Sequence, residues 1–89
     1  MKPIKKAAIF LIIIGAEKAQ RILALMDNKE IKSVVSEIKS LTVLTKEMQE
    51  CVLTEVKGLG YEDNMIPSQV LTIIRFLFNG SKISDKAGR

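Results

Sequence analysis

Histidine and tryptophan are missing from this sequence, cysteine occurs once and proline twice. Without histidine the commonest general base and metal ligand is gone. A zinc site would need several carboxylates around the one thiol, and no such cluster occurs, so neither a metal nor a cofactor is expected. The single cysteine, Cys51, rules out an internal disulfide and suggests a reducing, cytosolic setting. Cys51 falls on an apolar stripe with no histidine beside it, so it reads as a buried structural thiol rather than a nucleophile. The three phenylalanines and one tyrosine do not interleave with the cations, and no basic stripe runs along any helical segment. Nucleic acid is therefore not an expected partner.

Long apolar runs are lacking too. The longest, Ala7–Ile14 in "KKAAIFLIIIG", is eight residues, against roughly 20 for a membrane-spanning helix. The stretch mimics a secretory leader, but Gly15 and Ala16 are followed at once by Glu17 and Lys18, without the small-x-small pattern of a cleavage site. No leader and no direct membrane insertion are expected. Catalytic constellations are absent as well. Glu47, Glu50 and Glu55 at helical spacing read as a solvated face, and "GLG" at 58–60 lacks the spacing and the preceding strand of a phosphate loop. An enzyme is not expected.

What remains is a chain of 89 residues, 47% hydrophobic and 27% charged, with net charge +4. That composition suits one small globular domain. The excess charge sits at the ends, on Lys2, Lys5 and Lys6 and on Lys82, Lys86 and Arg89, and leaves the body near neutral. Apolar spacing predicts five helices. The first runs from Pro3, which suits a first helical position, to Ile14, with Gly15 as a left-handed stop. The second is "EKAQRILALM", with a stripe of Ala19, Ile22, Leu23 and Met26. Asp27 and Glu30 form a capping box ahead of the third, whose stripe is Ile31, Val34, Val35, Ile38 and Leu41. Thr45 caps the fourth, with Met48, Cys51, Val52 and Val56 inward and Gly58 and Gly60 at its end. "YEDNMIP" is a loop, and the fifth helix runs from Pro67 or Ser68 to Asn79. Residues 1–80 read as the domain and 81–89 as a polar tail or the start of a linker.

Two of these helices carry more apolar surface than a small core needs. On the first, Ile4, Ala7, Phe10, Leu11 and Ile14 form one face, while Ile9, Ile12 and Ile13 form another, with Lys5 and Lys6 at its end. On the fifth, the apolar residues from Val70 to Phe78 cover roughly 220° of the circumference, where a surface helix devotes about 100° to its core. One helix of five can be wrapped by the others, and two are harder to wrap. The surplus is therefore expected to form a partner-binding surface made by Ile9, Ile12, Ile13, Leu71, Ile74 and Phe78. Leu53 is an outlying candidate, and Lys5 and Lys6 belong to the rim.

The segment "KKAAIFLIIIGAEKAQRILALMDNKEIKSVVSEI" resembles the N-terminal domain of the bacterial flagellar rotor switch protein FliG. The likeness is carried by Lys6, Ala7, Ala8, Ile9, Gly15, Glu17, Ala19, Ile22, Leu23, Met26, Asp27, Glu30 and Ile31, and it continues through Leu44–Val56. The resemblance implies an all-α fold, a compact five-helix right-handed bundle or superhelix of armadillo-like or FliG N-terminal-like form. It implies binding of the cytoplasmic C-terminal segment of the membrane ring protein FliF in an apolar groove, contacts with neighbouring FliG-like subunits, and a place at the cytoplasmic face of the inner membrane. The middle and C-terminal domains of full-length members have no counterpart here. A self-associating helical module unrelated to motility is the competing expectation.

Overall fold

In the computed structural model, which describes residues 2–79, the chain folds as five helices: α1 Pro3–Ile14, α2 Ala16–Leu23, α3 Asn28–Ser40, α4 Lys46–Gly58 and α5 Pro67–Asn79. No strand occurs among the described residues, so the expected all-α class holds. The tail at 81–89 lies outside the described residues.

The helix ends follow from local chemistry. Pro3 opens α1 with Lys2 extended before it. Gly15 separates α1 from α2 at φ 97°, ψ 157°, a conformation open essentially to glycine alone. A Cβ added there would meet no other atom within 4 Å. Gly15→Ala should therefore cost about 1–2 kcal/mol through backbone strain alone, seen as an earlier urea midpoint with an unchanged slope. At α3 the capping box is complete: the Asp27 carboxylate accepts from the Glu30 N–H at 2.8 Å, and the Glu30 carboxylate accepts from the Asp27 N–H at 3.0 Å. The Thr45 hydroxyl accepts from the Met48 N–H at 3.0 Å and starts α4. At the end of α4 the stop is Gly60, at φ 104°, and Gly58 is the last helical residue. The Gly60 N–H donates to Lys57 O and the Tyr61 N–H to Val56 O. This is a Schellman ending, in which buried Tyr61 folds back toward buried Val56.

α1 is the central element. It packs against each of the other four helices, and Ala7, Ala8, Ile9, Phe10 and Leu11 are all buried. Five successive helical positions sweep more than a full turn, so the middle of α1 is enclosed all round. The other helices each bury a stripe on it. Val34 of α3, Val52 and Val56 of α4, and Val70, Leu71, Ile73, Ile74 and Leu77 of α5 complete the core with Ile22 and Met26. Phe10 meets Tyr61 edge-on, with ring centroids 4.9 Å apart and planes at 87°.

Burial corrects the reading of Cys51, which is exposed. Val52 and Val56 centre the buried face of α4, and Cys51 sits about 100° from Val52 round the helix, at the edge of the stripe. Burial also resolves the wide apolar arc of α5. Its buried residues span about 160°, and Phe76, 37% exposed, is left on the solvent side.

Glu30 does a second job. The Arg75 guanidinium of α5 donates to both of its oxygens, at 3.0 and 3.1 Å, so one carboxylate caps α3 and ties it to α5. That hydrogen bonding with Arg75 comes first among the causes holding the Glu30 carboxyl below the usual carboxylate range, with the Asp27 N–H adding to it against a desolvation that acts the other way. A lowered folded-state pKa means that the unfolded chain takes up the proton first as pH falls. The stabilisation is complete above the ordinary glutamate value of about 4.3 and is lost as pH drops through the lower folded value. Arg75 is about half exposed, so Glu30→Gln should cost no more than about 1 kcal/mol at neutral pH. The variant should also flatten the loss of stability as pH falls below the ordinary glutamate value of about 4.3, as followed by urea titration.

Candidate functional site

The structure places the sequence-predicted surface residues in different surroundings. Ile9, Leu71 and Ile74 are core residues, 0%, 5% and 0% exposed. The expectation that they face a partner is corrected in this structure, because the four other helices enclose the middle of α1, where Ile9 lies, and Leu71 and Ile74 belong to the buried face of α5. Ile12 is 39% exposed. Ile13, Phe78 and Leu53 are half-buried and pack against the core from outside. Of the lysines, Lys6 pairs with Glu55 at 2.9 Å, and half-buried Lys5 borders a cleft of about 140 Å³ beside Glu37, Leu41 and Met48. These residues do not form one continuous surface.

Ile12 opens onto an apolar groove of about 270 Å³ between the C-terminal part of α1, α2 and α3, lined by Leu11, Ile12, Ala16, Ala19, Leu23 and Ile38. Its making is local. Gly15 turns the chain sharply, so α2 starts one residue after α1 ends and leans across it. Ala16 and Ala19 are small, which leaves a hollow where larger side chains would fill the angle. All six lining side chains are aliphatic, so the groove has no titrating group, no hydrogen-bonding side chain and no means of acid–base or metal chemistry. Its size falls below the roughly 300 Å³ at which pockets enclosing small organic ligands begin. It suits aliphatic side chains projecting from another helix.

Ile13 and Leu53 meet elsewhere, in a cleft of about 330 Å³ between α1, α4 and the connection after α4, which Lys18, Lys57, Tyr61 and Asp63 also line. This cleft runs into another of about 210 Å³ that reaches Ile22, Ile66 and Val70. Burial, followed by the neighbouring Asp63 carboxylate, pushes the Tyr61 hydroxyl pKa up, so the phenol stays protonated at neutral pH. Tyr61 is the residue that sequence reasoning missed. A hydrophobe placed directly after the left-handed glycine of a helix stop, opposite Val56, is the signal that marks it.

Among the described residues no group of three or more histidine, cysteine, aspartate or glutamate side chains is placed to hold a metal ion. None of the described helices is long and apolar enough to cross a membrane. Apart from Tyr61, no side chain bearing a polar group is buried among the described residues.

Residues 1–88 match the FliG N-terminal domain family. The flagellar motor switch protein FliG of Borreliella burgdorferi (strain ATCC 35210 / DSM 4680 / CIP 102532 / B31) is 32% identical over 83 residues, covering 93% of this chain and 24% of that protein. The chain thus spans about a quarter of the length of this relative, 24%. No solved structure matches it.

Proposed function

Because the chain belongs to the FliG N-terminal domain family, we propose that it is an assembly module of a flagellar motor switch. It docks the cytoplasmic C-terminal segment of the membrane ring protein FliF and touches neighbouring FliG-like subunits around the rotor. It is held at the cytoplasmic face of the inner membrane by that partner. The observation that supports docking is the α1–α2–α3 groove, where Ile12 stands 39% exposed among aliphatic neighbours. Leaving an isoleucine half in water forgoes on the order of 1 kcal/mol of burial, which a partner helix recovers on binding.

Recognition is of the helix-in-groove kind, with aliphatic anchors at i, i+3 and i+4 supplying affinity. The partner segment orders on binding, so part of the interaction energy is spent on folding it. The module performs no chemistry. Titration of the chain with the labelled C-terminal segment of FliF from the same organism tests the reading. Saturable binding by the isolated chain is the expected result. Absence of binding, together with a stable homodimer in sedimentation, would replace it with a self-associating module.

A further inference from the structure

The two clefts around Tyr61 share Ile14, Lys18, Tyr61 and Asp63, so they form one trough on a different side of α1 from the aliphatic groove. Where it reaches Ile22, Ile66 and Val70 its floor is apolar, and Ile66 at its lip is 58% exposed. Its rim is cationic: Lys18, Arg21 and Lys57 line it, and Asp63 is the one carboxylate among them. Ion pairs among the described residues lie elsewhere, as between Lys6 and Glu55 and between Arg75 and Glu30. Among the described residues none of the three rim cations pairs with a carboxylate. Lys18 donates to the Asp63 backbone carbonyl, at 3.4 Å.

We propose that this trough docks an acidic amphipathic helix of a partner protein, its apolar stripe against Ile14 and Ile66 and its carboxylates over Lys18, Arg21 and Lys57. The assignment rests on charge complementarity. An apolar floor with three cations along the rim against a single carboxylate favours a helix with acidic flanks and repels a basic one. Rim charges of this kind act on encounter rate and on salt dependence as well as on affinity. The site stands apart from the groove at Ile12, so the proposal does not depend on what that groove binds.

The test uses the full chain and a labelled synthetic peptide with leucines at i, i+3, i+4 and i+7 flanked by glutamates. A second peptide carries lysines in place of the glutamates. The acidic peptide is expected to bind and to weaken as salt is added. Arg21→Glu and Lys57→Glu, both at exposed positions, should each weaken it about tenfold, while Ile12→Asp leaves it unchanged. Equal binding of both peptides would overturn the proposal. So would binding that survives Arg21→Glu and Lys57→Glu together, or binding abolished by Ile12→Asp, which would move the peptide to the other groove. Binding of anionic lipid vesicles in place of the peptide would likewise overturn it, marking the cations as a membrane-facing patch.

Discussion

Phe10→Ala should lower the melting temperature by roughly 15–30 °C, and with it most of the helical circular dichroism at physiological temperature. Phe10 is 0% exposed at the centre of the helix that every other helix packs on. Its removal deletes burial and leaves a cavity, together about 3–5 kcal/mol for a phenylalanine. The edge-on contact with Tyr61 at 4.9 Å goes too, a further ~1 kcal/mol. A domain this small holds on the order of 5–10 kcal/mol in total, so the loss is a large fraction of its stability. Phe76→Ala is the matched control. That ring is 37% exposed on the outside of α5 and should cost about 1 kcal/mol or less. If the two substitutions behaved alike under thermal melting, α1 would not be the centre of the fold.

The second large effect concerns binding. Ile12→Asp should weaken the proposed binding of the FliF segment at least about a hundredfold, or about 2.7 kcal/mol, and leave the chain folded. The new carboxylate stays solvated in the free protein, because position 12 already faces water. In the complex it would be buried among Leu11, Leu23 and Ile38 with no partner, and desolvation of an unpaired charge opposes binding. An acidic residue in the last turn of α1 also opposes the helix dipole by about 0.3–1 kcal/mol. Ile12→Lys, whose charge suits that end of the helix, separates the two causes. Both variants should lose binding while retaining the unmodified circular dichroism spectrum. A binding curve unchanged by either would remove the groove from the interface.

Local chemistry made much of this legible in advance. Helix starts at Pro3, Asp27, Thr45 and Pro67 are marked by side chains whose hydrogen bonds or ring geometry act within three or four residues, and they stand where the spacing puts them. The end of the second helix differs. Its apolar stripe runs to Met26, which is indeed buried, but α2 closes at Leu23. Leu25 and Met26 continue by tighter bonds to Ile22 and Leu23, a contraction common at helix ends. Periodicity reports a side chain's direction and is silent on such tightening.

Which apolar face ends up inside was not legible. Ile9 and Ile12 lie about 60° apart on the same helix, and their residue type is the same. Only the packing of the other four helices against α1 decides that Ile9 is enclosed and Ile12 is not. The same holds for Leu71 and Ile74, whose surplus look came from an arc wide enough to be central or exposed. The Tyr61 trough depends on residues from four helices and the connection after α4, brought together by the turn at Gly60 and by the placement of α2 against α5. No spacing rule within one segment reports that assembly.

Methyl NMR of the labelled chain during titration with the FliF C-terminal segment tests most directly whether Ile12, rather than the enclosed middle of α1, meets the partner. The account predicts shifts centred on the methyls of Ile12, Leu23 and Ile38, with those of Ile9, Leu71 and Ile74 holding their positions. Shifts centred on Ile9 and Ile74 with Ile12 unmoved would contradict it, since the partner would then be entering the core.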